Sequence, residues 1–490
     1  MSSSSPFDLA ATARRLMTEH GFEPDYPTQV MQEVAALQTH PPQITPSITD
    51  LRHLFWSSID NDASRDLDQI EYADILPDGS TRVLIGIADV DAYVPKGSAI
   101  DKHAAIETVT VYTGVKNFSM LPDELSTNLT SLLEGQDRVC MVTEFTLDKD
   151  VCATESCIAS SRIYPALVNN KAQLAYNSAG AWLDGHAEPP SKVAASKELQ
   201  SQLKLQNEIA QRLRLERYRH GALNLETIET HAILHGDAIN LEDQRRNSAT
   251  ELIEDFMIAA NGVVARALQA KGISSIRRIV RTPKRWDRIV ALADIHNWKL
   301  PATPDSKALN DFLCQRKKDD PDHFDDLSLA IIKLLGPGEY LLERPGDPPE
   351  GHFGLAVEDY THSTAPNRRY ADLVTQRLLK TMVAGESSPY SDQELSEIAL
   401  NCTIKSSAER KLEREMQKRI AAVAMRHRIG ERFHAIVTGV TPGGTFIRTM
   451  APRVDGMLLR GQHGVDVGDK LNVQLIHTDP ERGYIDFARV

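Results

Sequence analysis

Apolar positions change their spacing several times along the 490-residue chain, and each change predicts a different kind of element. Residues 7 to 38 carry a helical repeat beginning Phe7-Asp-Leu-Ala-Ala-Thr-Ala, broken at Gly21 and resumed from about Tyr26 to Leu37; this predicts a two-helix cap or a helix-turn-helix-like unit. Pro41, Pro42 and Pro46 then punctuate a linker. From Leu51 to about Arg162 the chain reads as strands and turns, with Glu71 to Leu76, Pro77-Asp-Gly-Ser and Arg82 to Asp89 spelling strand, turn, strand. Helical spacing is expected over residues 169 to 220, with a long run from Ser191 to His220. A strand pair around His235-Gly-Asp spans Glu226 to Leu241, and a helix follows from about Ala249 to Lys271, apolar on Leu252, Ile253, Phe256, Met257 and Ala260. One further helix runs through Leu378 and another from Ser391 to Ile429. Beyond Gly430 the period shortens to five brief strands separated by Gly and Asp turns, which predicts a small OB barrel.

The pattern defines an α+β protein: a short N-terminal helical region over 1–46, a large domain with a mixed sheet and surrounding helices over 47–429, and a five-stranded OB β-barrel over 430–490. Composition is that of an ordinary globular chain, 41% hydrophobic and 25% charged. A net charge of −13 excludes a uniformly basic nucleic-acid coat but leaves room for a local basic channel. Five cysteines without a CxxC pair argue for reduced thiols and against structural zinc; Cys152 and Cys157 are close enough to pair, but idle thiols are expected. The Ser-rich start lacks an apolar signal core and no run approaches a membrane span, so a cytoplasmic protein is expected.

Candidate chemistry concentrates in Ile59-Asp-Asn-Asp-Ala-Ser-Arg-Asp-Leu-Asp-Gln-Ile, where Asp60, Asp62, Asp66 and Asp68 crowd four carboxylates into nine positions. Such crowding requires either splaying into water, as in a solvated acidic loop, or a positive partner such as a hard divalent cation. A calcium loop is a third reading, because Asp60, Asp62, Ser64, Asp66, Asp68 and Glu71 fall on EF-hand ligand positions, but Arg65 occupies the place that needs glycine and flanking helices are missing. Strand signals after the cluster put these acids at the mouth of a sheet.

Three basic runs offer surfaces for a polyanion, each with a solvated face as the plainer reading. Arg212, Arg214, Arg217 and Arg219 end one helix; Arg277, Arg278, Arg281, Lys284 and Arg285 lie in a strand-like run ending near Trp286; and Lys405 to Arg428 holds eight Lys/Arg against three Glu. Arg368 and Arg369 lie near the start of a helix, where positive charge suits an anion. Phe446 would offer the barrel an aromatic face, with core packing as the alternative.

Six ordered motifs together resemble the RNase II/RNase R family, hydrolytic 3′ to 5′ exoribonucleases with an RNB catalytic domain. They are the acidic stretch, Ile87-Ala-Asp-Val, Asp101-Lys, Met120-Leu-Pro-Asp-Glu-Leu-Ser, Glu254-Asp-Phe-Met-Ile-Ala-Ala-Asn, and His352-Phe-Gly-Leu running to Pro366-Asn-Arg-Arg-Tyr-Ala-Asp. The C-terminal strands resemble the family's S-one-type OB domain; the family's two N-terminal cold-shock barrels are expected to be absent. The resemblance implies that Asp60, Asp66 and Asp68 hold Mg²⁺, with Mn²⁺ as the alternative, and orient the attacking water. A fourth family Asp is replaced by Gln69, whose amide brings an oxygen ligand without charge, and Asp62 is a candidate to compensate. The resemblance further implies that Asp68, Asp66 and Arg368 are catalytic, that Tyr112 stacks on the 3′-terminal bases, and that Glu254 and Glu409 accept hydrogen bonds from RNA sugars. A monomer acting on single-stranded RNA follows, and Gln69 motivates the alternative of a catalytically impaired RNB-type RNA-binding protein.

Overall fold

Two short helices open the described chain, a computed structural model that covers residues 7–42, 48–148, 157–226, 229–235, 238–244 and 246–490. The Ser-rich start, Pro46, Cys152 and the Gly236-Asp237 turn lie outside the described residues. Helix α1 (Leu9–Glu19) starts where Asp8 Oδ1 accepts the Ala11 amide at 2.8 Å, and α2 is Thr28–Thr39. Leu9, Ala13, Leu16 and Met17 of α1 bury against Leu412, Met416 and Ile420 far downstream, together with Val111 and Phe118. The N-terminal unit is therefore a cap on the large domain.

The large domain is built on a six-stranded mixed sheet of β1 (Thr49–Asp50), β2 (Trp56–Asp60), β3 (Gln69–Ile75), β4 (Thr81–Ala88), β7 (Asp137–Leu147) and β8 (Ile158–Ala175). A small hairpin, β5 (Val111–Tyr112) and β6 (Asn117–Phe118), follows α3 (Ala99–Glu107). Strand β8 is 18 residues long: its first part pairs antiparallel with β7 and its end runs parallel to β2, from Trp56↔Asn170 to Asp60↔Ala175. The sheet thereby curls back on itself. Residues 169–175 are strand, not the expected helix; pairing with β7 at Asn169 and with β2 from Asn170 to Ala175 overrides their weak local periodicity.

Helices cover both faces of this sheet. On one side α4 (Tyr176–Leu183), α5 (Ser191–Ala195), α6 (Lys197–Arg219) and α7 (Ser248–Ala270) bury Leu199, Leu203, Leu252 and Phe256 over Ile59, Ala73, Val83 and Ile85. The expected continuous helix from Ser191 is two helices because Ser196 caps the second, accepting from the Leu199 amide at 3.1 Å. On the other side α11 (Tyr370–Ala384) and the 34-residue α12 (Asp392–Met425) pack Leu373, Val374, Leu378 and Leu395 over Trp56, Ile70 and Leu84. Between them lie the hairpin β9 (Glu229–His235) and β10 (Ala238–Gln244), the pair β11 (Ser275–Ile279) and β12 (Glu339–Glu343), and a helical insert of α8 (Trp286–Ile295), α9 (Ser306–Asp319) and α10 (Phe324–Leu335).

The last five strands, β13 (Arg432–Thr441), β14 (Gly444–Thr449), β15 (Asp455–Arg460), β16 (Lys470–Asp479) and β17 (Tyr484–Arg489), close into a barrel in the order β13-β14-β15-β17-β16. Ala422 and Met425 of α12 enter the barrel core, so helix and barrel share one hydrophobic cluster. Ion pairs hold the barrel on two sides: Arg15 to Glu481 at 2.7 Å, Arg448 to Asp326 at 3.5 Å, and Arg453 to Asp325.

Two of the three basic runs are engaged within the fold. Arg214 and Arg217 pair with Asp255, and Arg212 donates to the Asp148 carbonyl. Arg277 is buried with Glu343 at 2.7 Å, Arg278 lies over the Tyr340 ring, and Arg281 pairs with Glu339. Cys140, Cys314 and Cys402 are free, whereas Cys157 is disulfide-bonded, a correction to the expectation of idle thiols. Among the described residues no helix is long and apolar enough to cross a membrane.

Candidate active site at the mouth of the sheet

Asp60 closes β2 and Asp68 immediately precedes β3, so the acidic stretch is the connection between two adjacent strands. Asp60 accepts hydrogen bonds from the Asn61 amide at 2.7 Å and from Ser64 Oγ at 2.9 Å, which folds the loop back on its own start. A single wide π-helical turn, Leu125–Leu129, leads into residues that clamp the loop's far end. Ser131 Oγ donates to the Arg65 carbonyl and accepts from the Leu67 amide, at 2.6 and 3.0 Å. The Met120-Leu-Pro-Asp-Glu-Leu-Ser motif is thus a mount for the acids.

Arg368 arrives from the loop before α11. The Asn367 amide donates to Asp68 Oδ1 at 3.0 Å, and Arg368 Nε stands 3.5 Å from Asp68 Oδ2. Three contacts hold this loop: Thr130 Oγ1 donates to Asn367 Oδ1 at 2.6 Å, Ser363 donates to Asn261 Oδ1 of α7, and the Thr110 amide donates to the Arg368 carbonyl at 3.0 Å. Thr108, in the left-handed region at φ 61°, ends α3 and turns the chain so that residues 108–110 run beside 368–370. The same segment continues into Tyr112, whose Oη is 3.4 Å from Asp66 Oδ2. Asp66, Asp68, Arg368 and Tyr112 therefore meet, although they span 300 positions of sequence.

The electrostatics are those of uncompensated acids. Burial, reinforced by Asp60, raises the Asp66 carboxyl despite the pull of Arg368 and Tyr112. Burial pushes Asp68 up to about 7, against the Arg368 charge and the Asn367 amide. Arg368 keeps 44% of its side chain exposed while Asp68 keeps 2%, so the arginine remains available to an incoming group. Asp68 Oδ2 has no hydrogen-bond donor, a condition that costs roughly 1–3 kcal/mol or more for a charged oxygen.

Other expected residues fall at graded distances from this centre. Gln69 is buried at the first position of β3, paired with Ile87, and Asp62 is exposed on the outer turn. Glu409 lies on α12 beside Glu413; burial and then the Glu413 carboxylate raise it, and Glu413 in turn accepts the Tyr112 amide at 2.9 Å. Glu254 is half-exposed near the start of α7 and ion-paired with Arg246. Phe446 is exposed on β14 opposite Met457, so it lies outside the barrel core. Two further residues also belong here, Tyr176, which the sequence did not single out, and Glu71, which it offered only as the last position of the rejected calcium loop. Tyr176, at the start of α4, is raised by burial, Asp60 and Glu71, with Arg368 opposing. Glu71 is fully buried, with a carboxyl raised well above its usual range by burial and by Asp60. Nothing in the local sequence marks Tyr176, and Glu71 is marked only by the calcium-loop spacing that Arg65 breaks.

The acids fit a hard divalent cation in chemistry: they are oxygen donors, they lack sufficient positive partners, and Asp68 Oδ2 is unsatisfied. They do not form a ready-made cage. Among the described residues no three acid, histidine or cysteine side chains are gathered to hold a metal, so the expected set of Asp60, Asp66 and Asp68 with Gln69 is not assembled as such.

This arrangement, a curled mixed sheet with acids at its mouth and a C-terminal OB-like barrel, is that of a known class. Residues 48–385 match the RNB domain and residues 431–490 the RNase II-type exonuclease C-terminal S1 domain; the chain belongs to the RNB-domain family. It is similar to Ribonuclease R of Thermotoga maritima, 28% identical over 480 residues, covering 90% of this chain and 64% of that protein. It is also similar to Exoribonuclease 2 of Escherichia coli, 29% identical over 408 residues, covering 81% of this chain and 60% of that one. The chain thus spans about three fifths of the length of these curated relatives. In fold it matches RNase R of Mycoplasma genitalium, solved in its apo form and in complex with ribose-methylated single-stranded RNA, at a TM-score of 0.85 and 23% identity over 99% of this chain and 78% of that one. A yeast pseudonuclease shares the fold at a TM-score of 0.71 and 16% identity, over 97% of this chain and 58% of its own.

Proposed function

We propose that this protein is a hydrolytic 3′ to 5′ exoribonuclease, dependent on Mg²⁺ or Mn²⁺, that degrades single-stranded RNA to 5′-mononucleotides. The observation that carries it is the meeting of Asp68 with the Asn367–Arg368 loop, where a buried acid and an accessible guanidinium stand 3.5 Å apart. Asp60, Asp66, Asp68 and the Gln69 amide would hold the cation, which when bound supplies Lewis acidity to the scissile phosphate and a more acidic water.

The chain's own groups do the rest. Arg368, fixed in its loop by Thr110 and Asn367, offers a cation to charge that develops on the phosphate. Tyr112 stands on its hairpin beside Asp66 with its ring partly exposed, suited to stack on the terminal bases whatever their sequence. Glu254 and Glu409 accept hydrogen bonds from sugar hydroxyls, the group that distinguishes RNA from DNA. Phe446 on the barrel face makes a second stacking platform. The complex with single-stranded RNA known for the Mycoplasma genitalium relative supports the substrate class. We place the protein in the cytoplasm, acting as a monomer, with 1–46 as a helical cap, 47–429 as the catalytic domain and 430–490 as the RNA-binding barrel.

Purified protein incubated with Mg²⁺ and single-stranded RNA labelled at either end tests this reading. Mononucleotides released first from the 3′-labelled strand are expected; intact RNA in both would sink it. A second reading, an RNB shell that binds RNA without cutting it, is favoured by Gln69 and by the pseudonuclease that shares the fold. It predicts retention of RNA on a filter with no product.

A further inference from the structure

Glu71 plays no part in the mechanism above, yet it is fully buried and neither of its carboxylate oxygens meets a hydrogen-bond donor. Ser57 stands directly opposite in the β2–β3 register, and its Oγ is equally buried and equally without a partner. Opposed side chains of an antiparallel pair have Cβ atoms only about 5 Å apart, so three unsatisfied oxygens gather at one point of the sheet. An apolar side chain would suit the neighbourhood better, since Ile59, Ala73 and Phe256 line this face. The polar pair is therefore a cost to the fold unless something binds it.

Position along the strand indicates what binds. Side chains two residues apart on a strand share a face, so Gln69 and Glu71 project from the same side of β3, one pleat apart. Gln69 is the place where an amide stands in a pattern that otherwise carries acid. Asp60, at the end of β2, is near enough for its charge to act on Glu71, and Tyr176 feels both.

We propose that Glu71 supplies the carboxylate that Gln69 lacks, so that Asp60, Gln69, Glu71 and Ser57 Oγ hold a divalent cation one pleat further down β3 than the loop aspartates alone would set it. Two carboxylates plus neutral oxygens and water is a donor set that Mg²⁺ and Mn²⁺ accept. The inference rests on the reading of the acidic mouth as a metal site.

The test is Mn²⁺ binding to the full chain without RNA, followed by electron paramagnetic resonance and calorimetry. Wild type is expected to bind, and Glu71→Gln to weaken the tightest site at least tenfold while its melting temperature stays level or rises. Glu71→Asp, which keeps the acid but withdraws it by one methylene, should lose a smaller part of the affinity. Adding Gln69→Asp to Glu71→Gln should restore binding to within a few-fold of wild type. Unchanged Mn²⁺ affinity in either Glu71 variant, or no binding by wild type, overturns the proposal. Hydrolysis by wild type with Mn²⁺ affinity indifferent to Glu71 would refute this site alone, and tight Glu71-dependent binding without hydrolysis would refute the nuclease reading alone.

Discussion

Two clusters of buried charge lie at the same end of neighbouring strands, one after β4 and one between β2 and β3, and are solved in opposite ways. In the first, Arg377 of α11 pairs with Asp91 at 2.9 Å and Asp101 at 2.8 Å and donates to Tyr390 Oη and the Val94 carbonyl. Lys380 pairs with Asp89 and Asp91, and Tyr370 Oη donates to Asp101 at 3.0 Å. No carboxylate oxygen of that network is left without a donor. In the second, Asp60, Asp66, Asp68 and Glu71 face one arginine, and oxygens of Asp68 and Glu71 are orphaned. Burial of charge is common to both, so burial does not mark a site. The mark is the unsatisfied remainder, which a scaffold avoids and a binding site keeps for its ligand.

The comparison makes predictions that can break it. Asp68→Asn should lower the single-turnover rate of RNA hydrolysis by at least about a thousandfold while leaving the metal-free protein as stable as wild type or more so. Equal destabilisation of Asp68→Asn and Arg377→Met in urea would erase the distinction between the clusters. Arg377→Met should cost about 3–5 kcal/mol of stability, because it leaves buried carboxylates unpaired, and change the hydrolysis rate of the folded fraction little. Tyr112→Ala should raise KM about tenfold with a small effect on kcat, read from steady-state kinetics on short RNAs.

Glu107 is an intermediate case: it accepts the Glu23 amide at 2.9 Å, yet burial pushes its carboxyl up to about 7. The neutral form suits the fold, so its contribution to stability is full below the ordinary value of 4.5, declines as pH rises and is lost above about 7. Urea titrations should show Glu107→Gln gaining on wild type between pH 4.5 and 8, by on the order of 2 kcal/mol. The smallest effect is expected for Gln69→Asp, with hydrolysis equal to wild type or about two- to threefold faster at limiting Mg²⁺.

The acidic stretch was legible because its residues are adjacent, and Arg368 because it lies near the start of a helix within a motif that resembles the family's. The five-stranded barrel was legible from its Gly and Asp turns. What stayed hidden depended on partners far away in sequence. The basic runs read as surfaces until Asp255 and Glu343 appeared beside them, 38 and 66 residues from their arginines. Residues 169–175 read as helix because nothing local reveals that β2, more than 110 positions upstream, pairs with them from Asn170 onward. Glu71 read as the last position of a rejected calcium loop, at the start of a strand; only the register that brings Ser57 opposite shows two buried groups with no partners.

Helix α12 touches nearly every functional part: Lys405 donates to the Gly21 carbonyl of the N-terminal cap, Glu413 takes the Tyr112 amide, and Met425 sits in the barrel core. At 1.5 Å per residue its 34 residues make a stiff rod of about 50 Å. A rod of fixed length is a gauge. The interval along the helix between Glu413, which holds Tyr112, and Met425 in the barrel core is set by helical rise at twelve residues, about 18 Å; if the proposed function holds, an RNA must bridge that interval to be gripped at both ends. On that proposal, strands worn shorter than the gap would keep a single handhold, and the length at which degradation slows would be written into the helix.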